Sequence, residues 1–328
     1  MKGIKALLLP VCRYSPLLLV AVSVGGGVWY VYAHPAELAS VRGLSLGWLA
    51  LLFCLSAAKI ACMGSFTKVI VRSLGIALGF WEGFGLAALS AMGNYLTPFR
   101  GGAAVRAVYL KSKHGLSYPL FLSTLSVLYL ITLATSAALG VLAMLALHLR
   151  FGFVDLALLS FFLALFFLLA AFLVVIKTIP RLPNSSGDQD ASAFRRFVWR
   201  LMSLADSVIE GWRTISTHRG ALLRLLTLSV LNSGVTLLMI HFSFAAFGAR
   251  LPLVESLVLS SLFMISSMIP LTPSGLGVAE VVLVLASRGF GVGETLGVFS
   301  TGLNRTVMVL SSIVWGTLFS YIMGQRVT

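Results

Sequence analysis

Six long apolar stretches dominate this sequence. They cover residues 15–33, 44–67, 118–147, 152–176, 221–247 and 296–323. A helix needs about 20 apolar residues to cross the hydrocarbon core of a bilayer. The chain is 59% hydrophobic and 10% charged, with a mean hydropathy of +1.00, far from the averages of soluble proteins. The sequence therefore predicts an all-α integral membrane protein, folded as one polytopic domain over residues 1–328.

The formal charge of +14 does not indicate a nucleic-acid partner, because the basic residues lie between the apolar stretches. That distribution follows the positive-inside rule and also favours anionic lipid headgroups. The three cysteines and five histidines lack the spacing of disulfides or metal ligands. The sequence contains no nucleophile elbow, P-loop or dinucleotide fingerprint. We therefore expect no metal, no cofactor and no enzymatic activity.

A short motif ends two further apolar segments. The first copy is Leu96-Thr97-Pro98, and the second copy, Leu271-Thr272-Pro273, begins 175 residues later. Both copies fit the pattern L-T-P-x3-G-x-A, so each places a helix breaker and glycines after an apolar segment. Paired broken segments in the two halves of a membrane protein indicate a binding site near the bilayer midplane.

The positions of the basic residues indicate whether the first of these segments crosses the membrane. If 78–97 crossed the bilayer completely, the four basic residues of 100–113 would lie outside, and so would the basic loop 177–220. Both results oppose the positive-inside rule. We therefore predict that 78–113 is a re-entrant helical hairpin, which enters from the cytoplasm and turns back at Pro98.

The repeat extends this prediction to 253–290, a second re-entrant hairpin that enters from the opposite face and turns back at Pro273. The two hairpins then form an inverted repeat, between a first half at 15–176 and a second half at 221–324. About six full spans accompany the hairpins, and both termini and the loop 177–220 face the cytoplasm.

Two segments leave alternatives open. Residues 15–33 exceed the usual length of a signal-peptide core and are interpreted as a retained first span, although Val31-Tyr32-Ala33 resembles a cleavage site. Residues 193–218 fit either a basic amphipathic helix on the inner leaflet or a solvated connector.

The Leu-Thr-Pro turns are the first candidates for ligand binding. Thr before Pro suits a helix N-cap followed by the first helical position, so a new helix is expected to begin at each turn. The free N–H groups of such a helix end bind anions, and glycines allow close approach. The alternative is a pair of structural proline kinks packed against glycines. The candidate binding residues of the turns are Thr97, Pro98, Gly102, Thr272, Pro273, Gly275 and Gly277.

Polar side chains inside membrane segments form the second group of candidates. They are Asn94, Arg100, Arg106, Glu280 and Arg305. A charge in the bilayer costs about 2.5–3.5 kcal/mol on insertion scales, so such residues usually face a cavity and a partner. Glu280 is expected to pair with Arg305 or Arg106, either at a binding site or as a structural link. We expect Arg106 to be exposed in the cavity. Lys59, deep in the second span, can line the cavity or extend to the interface.

These residues resemble a known family. The patterns Asn94-x-Leu96-Thr97-Pro98-x-Arg100-x-Gly102-x3-Arg106 and Pro270-x2-Pro273-Ser274-Gly275-Leu276-Gly277-x2-Glu280, followed by Arg305, are similar to the transmembrane domain of lysylphosphatidylglycerol synthases. The resemblance covers about residues 10–325. In the two-domain synthases this part resembles a flippase for aminoacylated phospholipid, and a separate soluble domain performs aminoacyl transfer. We expect the present protein to act without that soluble domain, so aminoacyl transfer is not implied. The chain departs from many relatives at Ala103, where they carry an acidic residue, and in the uncharged segment 124–133.

The repeat, the charges and the resemblance favour a lipid translocase in the plasma (inner) membrane of a bacterium or archaeon. Its substrate is expected to be a phospholipid or polyprenyl-linked lipid with an anionic headgroup. The alternative is a membrane subunit or scaffold of a separately encoded enzyme that modifies phospholipid or lipid-linked sugar. A translocase needs charges near the middle of the bilayer, whereas an enzyme needs a polar cluster at one membrane face. Glu280 and Arg305 are expected near the middle of the bilayer, and they therefore favour the translocase.

Overall fold

The structure, a computed structural model, describes residues 44–97, 101–152, 155–175, 206, 209, 212–213, 217–269 and 277–324. All regular elements within these residues are helices, and five of them are long and apolar enough to cross a membrane. The predicted all-α membrane fold class is therefore confirmed for this part of the chain.

Nine helices occur in the described residues, five in the first half of the chain and four in the second. They are α1 (Leu46–Arg72), α2 (Phe80–Leu96), α3 (Gly102–His114), α4 (Tyr118–Phe151), α5 (Leu156–Val175), α6 (Arg219–Ala245), α7 (Leu253–Ser267), α8 (Val278–Gly289) and α9 (Glu294–Gly324). The candidate spans α1, α4, α5, α6 and α9 coincide with five of the predicted apolar stretches. The sixth, 15–33, and most of the loop 177–220 lie outside the described residues.

Local sequence signals explain where several helices begin and end. Asp155 caps α5, because its Oδ1 accepts hydrogen bonds from the backbone N–H groups of Ala157 and Leu158 at 2.9 and 3.1 Å. Gly115 ends α3 with φ at 71°, a left-handed conformation that glycine adopts without strain. Pro119 lies in the first turn of α4, where the N–H that proline lacks has no helical partner.

Helices α2 and α3 form an antiparallel pair. Near their connection, Asn94 Oδ1 accepts a hydrogen bond from Gly102 N at 3.1 Å, and Ser90 Oγ donates one to the Gly102 carbonyl at 2.9 Å. A Cβ atom on Gly102 would lie 1.8 Å from the Ser90 carbonyl oxygen, so glycine is required for this approach. At the other end, Glu82 at the start of α2 forms an ion pair with Lys113 at the end of α3. The pair therefore begins and ends at the same end of the helical bundle.

Helices α7 and α8 form the corresponding pair in the second half. Leu259 of α7 and Leu283 of α8 belong to one buried cluster between them. The two pairs occupy the segments predicted as hairpins, 78–113 and 253–290, to within two residues at each end. The two halves also pack in the same way when α1 is matched with α6, α2 with α7 and α4 with α9. Helix α2 packs against α1 and α9, and its counterpart α7 packs against α6 and α4. The matched helices α1 and α6 pack against each other.

Helix α9 contacts both pairs, and the contacts follow in order along its length. Near its start, Gly297 packs against the last turns of α8. In its middle, Arg305 bonds to Glu280 in the first turn of α8 and to Tyr95 in the last turn of α2. Near its end, Phe319 packs against the start of α2. The connected ends of both pairs therefore meet at Arg305, and their open ends lie at opposite ends of α9.

Part of the segment before α6 packs onto the helices. Ile209 and Trp212 are buried in a cluster with side chains of α1, α4 and α6. The indole Nε1 of Trp212 donates a hydrogen bond to the carbonyl oxygen of Leu173 at 3.1 Å. Most of 193–218 lies outside the described residues, so the choice between an amphipathic helix and a solvated connector stays open.

Candidate functional site

A cavity lies between the two halves of the chain, with two adjoining lobes of about 190 and 150 Å³. The residues that line both lobes are Lys59, Met63, Asn94, Tyr95, Arg106 and Met308. The larger lobe also contacts Arg305 of α9, Phe263 of α7 and Asn232 of α6. The cavity thus brings together three of the predicted site residues, Asn94, Arg106 and Arg305.

Arg106 holds three helices together at the wall of this cavity. Its Nε donates a hydrogen bond to Ser90 Oγ of α2 at 3.1 Å, and its Nη1 donates one to Thr67 Oγ1 of α1 at 3.2 Å. Arg106 is only 7% exposed, so the expectation of an exposed cavity arginine is wrong. The two hydroxyl partners are neutral, and no carboxylate among the described residues lies within ion-pair distance of Arg106. No carboxylate of the described residues therefore compensates the charge of this guanidinium beside the cavity.

Lys59 places a second cation at the same cavity. Its ammonium lies 5.1 Å from the centroid of the Phe263 ring, a cation–π contact between α1 and α7. Within the described residues, Lys59 has no ion-pair partner. Of the two alternatives predicted for Lys59, the structure therefore favours the one that lines the cavity.

Arg305 is the third cation, and it has a carboxylate partner. Its Nε donates a hydrogen bond to Glu280 Oε1 at 2.5 Å, and its Nη1 donates one to the Tyr95 hydroxyl at 3.3 Å. The ion pair with Glu280 confirms one of the two partners predicted for that carboxylate. Arg305 is buried, and its guanidinium also lies over the Tyr95 ring. Arg305 thus connects the second helix pair to the first.

The helices after the turns begin later than predicted. Thr97 caps the end of α2, and its hydroxyl donates back to the Gly93 carbonyl at 2.5 Å, so its predicted role as an N-cap is wrong. The described helices begin at Gly102 and Val278. An N-cap needs the start of a helix directly after it, and the motif carries further glycines before either helix forms. The remaining predicted turn residues, Pro98, Arg100, Thr272, Pro273 and Gly275, lie outside the described residues.

Side chains of the protein already occupy backbone donors at both helix starts. Asn94 Oδ1 accepts from Gly102 N, and Glu280 Oε2 accepts from Gly277 N at 2.7 Å. Gly277 has φ at +84°, which glycine tolerates and which lets the Glu280 carboxylate reach back to the helix start. The expected anion site at the bare helix ends is therefore partly filled, and the cationic side chains become the better candidates for an anionic ligand.

Sequence reasoning missed several cavity residues. Tyr95 lies inside the first motif, and Asn232 and Tyr129 lie within long, mostly apolar spans. Lone polar residues in the middle of a span are the available signal, and that signal indicated Lys59 and Arg305 but not these three residues.

The fold and this site define a polytopic membrane protein with a cationic cavity where two helix pairs meet. The family model of the lysylphosphatidylglycerol synthase TM region matches residues 17–316. This match covers nearly the whole chain, so the chain belongs to that family, as the motifs indicated. A search of curated proteins finds no match to the chain. Membership of the family connects the protein with membrane lipids.

Proposed function

We propose that the protein is a lipid translocase that moves a lipid with an anionic headgroup between the two leaflets. The observation that carries this proposal is the pair of cations at the cavity, Lys59 and Arg106, for which the described residues supply no carboxylate. Cations buried in a membrane protein are costly without a counter-charge, so such a cavity favours an anion. A lipid phosphate supplies that charge, and its acyl chains remain in the bilayer.

The helix pairs support a re-entrant arrangement. Helices α2, α3, α7 and α8 contain 17, 13, 15 and 12 residues. At about 1.5 Å per residue they are shorter than a hydrocarbon core of about 30 Å. The order of contacts along α9 supports entry from opposite faces, with the connected ends meeting at Arg305. We interpret the matched packing of the two halves as an inverted repeat.

An inverted repeat gives a route for the headgroup. Rocking of one half against the other exposes the central cavity to each leaflet in turn, while the bound headgroup stays between the halves. We place the protein in the plasma (inner) membrane of a bacterium or archaeon, with both termini in the cytoplasm, because that orientation puts the basic loop 177–220 inside.

Reconstitution into liposomes tests this function. The vesicles carry a trace of fluorescent phosphatidylglycerol or fluorescent phosphatidylcholine, and added dithionite quenches only probes in the outer leaflet. With the protein present, we expect quenching of phosphatidylglycerol to proceed beyond the outer-leaflet fraction, and to be faster than that of phosphatidylcholine. Protein-free vesicles give the baseline.

Two results would contradict the proposal. The first is quenching of both lipids at the protein-free baseline by a folded protein. The second is chemical modification of phospholipid or lipid-linked sugar by the purified chain, which would make the protein an enzyme. Movement that needs an added lipid-modifying enzyme would instead support the role of membrane subunit or scaffold.

A further inference from the structure

We infer that Lys59 binds the headgroup together with Arg106, and that the site prefers a lipid with two negative charges on its headgroup. The chemical class is a phosphomonoester or diphosphate lipid, rather than a singly charged phosphodiester. This inference rests on the proposed function, since it names the substrate class of the same cavity.

The position of Lys59 is the first step. Lys59 and Arg106 line both lobes of the cavity, so a ligand that fills either lobe can contact both residues. Phe263 packs against the Lys59 ammonium from the second half of the chain, 5.1 Å from the ring centroid. A cation–π contact orients an ammonium group but does not neutralise it. The ammonium thus remains available for an anion.

The guanidinium of Arg106 is also only partly used. Its Nε and Nη1 bond to Ser90 and Thr67, and these hydroxyls donate their own protons to the carbonyl oxygens of Gly102 and Met63. The hydroxyls therefore fix the orientation of the guanidinium. Nη2 makes no hydrogen bond within the part of the chain that the structure describes. An oriented guanidinium with free N–H groups binds phosphate oxygens well.

The charge balance of the cavity is the second step. The charge of Arg305 is compensated by Glu280, which leaves Lys59 and Arg106 with a combined charge of +2. The other glutamates of the described residues, Glu82, Glu255 and Glu294, belong to the first turns of helices and do not line the cavity. A phosphodiester compensates one of the two charges, whereas a phosphomonoester compensates both near neutral pH. A headgroup with its own ammonium would add a further cation to the site.

A buried amide supplies a third, independent feature. Asn232 of α6 is 1% exposed and lines the larger lobe, and its Oδ1 has no hydrogen-bond partner in the described residues. Buried polar atoms are normally satisfied, so an unsatisfied one at a cavity wall indicates a bound group. The amide can bond to a phosphate oxygen or hydroxyl of the headgroup, depending on its orientation.

Lipid binding in detergent tests the inference. The probes are dioctanoyl phosphatidic acid, a phosphomonoester, dioctanoyl phosphatidylglycerol, a phosphodiester, and dioctanoyl phosphatidylcholine, a zwitterion. Affinities are measured by native mass spectrometry and checked by thermal stabilisation. We expect the purified protein to bind phosphatidic acid about tenfold or more tighter than phosphatidylglycerol, because the second charge interacts with an uncompensated cation in a site of low polarity.

Two variants each lower the charge of the cavity by one. Lys59→Met removes a cation, and Ala103→Glu adds a carboxylate at a lining position of α3. Either change should reduce the preference for phosphatidic acid to within about threefold. The cavity then carries a single uncompensated positive charge, which a phosphodiester already neutralises, so the second charge of the phosphomonoester gains no partner. Lys68→Met is the matched control, because Lys68 lies on α1 but not among the lining residues, and it should keep the full preference.

The outcomes separate this inference from the proposed function. Equal affinity for phosphatidic acid and phosphatidylglycerol in the unchanged protein would overturn the inference, and so would a full preference in a folded variant of lower cavity charge. Either result leaves lipid translocation standing, because that function is judged from lipid movement in vesicles. Binding of phosphatidylcholine as tightly as of both anionic lipids would overturn the anionic site itself.

Discussion

At the scale of single residues, Arg305 is the contact point of the two helix pairs. It bonds to Glu280 of α8 and to Tyr95 of α2, while Glu280 also accepts from the backbone N–H of Gly277. The side chains of Arg305 and Glu280 are 10% and 21% exposed, so water screens the pair only weakly. Each partner therefore satisfies a charge that would otherwise remain buried.

A double-mutant cycle measures how far this pair stabilises the fold. Glu280→Gln alone should destabilise the protein by about 3–5 kcal/mol, because it leaves a buried arginine without its carboxylate. The double change Glu280→Gln with Arg305→Met should recover a large part of that loss, since no charge is then left unpaired. The measurement is thermal unfolding in detergent. Arg305→Met alone completes the cycle. If the losses of stability in Glu280→Gln and Arg305→Met simply add in the double variant, the two side chains are not coupled and Arg305 does not link the helix pairs.

At the scale of elements, ionic contacts hold the open end of the α2–α3 pair. Glu82 Oε1 lies 2.8 Å from the Tyr109 hydroxyl, 2.9 Å from Lys113 Nζ and 3.0 Å from His114 Nε2. Burial alone would raise the pKa of Glu82, but the hydrogen bonds from these three groups outweigh it and lower the pKa to about 2. The carboxylate is therefore ionised throughout the neutral range and keeps the two helix ends together.

This lowered pKa predicts a dependence of stability on pH. A carboxyl with a lowered pKa in the folded state contributes stability above its unfolded pKa of about 4.5, and the contribution is lost as the pH falls toward 2. Glu82→Gln should therefore unfold at a lower temperature than the unchanged protein at pH 7, by the equivalent of about 1–3 kcal/mol. The difference should shrink between pH 4.5 and the folded pKa of about 2.

The exposed pair of Arg288 and Glu294 provides the control for that experiment. Its side chains are 54% and 59% exposed, so Glu294→Gln should change the stability by less than about 1 kcal/mol at any pH. A Glu82→Gln variant that behaves like Glu294→Gln at pH 7 would mean that Glu82 does not hold the two helices.

The same elements separate what the sequence can predict from what it cannot. Span positions and the extents of the two helix pairs were predictable, because apolar length and charge distribution are local properties. The starts of α3 at Gly102 and of α8 at Val278 were not predictable. Asn94 and Glu280 accept hydrogen bonds from backbone N–H groups there, and whether their side chains can make these contacts depends on the folded structure. The burial of Arg106 was missed for a similar reason, since its partners Ser90 and Thr67 lie 16 and 39 residues away.

At the scale of the whole molecule, the contacts along α9 give the two helix pairs opposite directions. The open end of α2 and α3 lies near Phe319, and the open end of α7 and α8 lies near Gly297. If α9 spans the bilayer, these ends face opposite compartments, which is the arrangement that alternating access requires.

Cysteine labelling tests this topology. In a variant with Cys12, Cys54 and Cys62 replaced by serine, a single cysteine at Ser112 marks the open end of the first pair. A single cysteine at Gly293 marks that of the second, and both positions are exposed. We expect an impermeant maleimide added to intact cells to label Gly293→Cys but not Ser112→Cys, with the opposite result in inverted vesicles. Labelling of both from the same side would contradict the opposed hairpins.

The central claim is that the headgroup crosses through the cavity between the helix pairs, and a block of that cavity tests it most directly. Ala103 lines the larger lobe, whereas its neighbour Ala104 is exposed and does not line it. Ala103→Trp fills the cavity, and Ala104→Trp places the same bulk outside it. In the liposome assay, Ala103→Trp should slow movement of the anionic lipid by about tenfold or more, and Ala104→Trp should retain the original rate. Equal rates in two folded variants would contradict passage through this cavity.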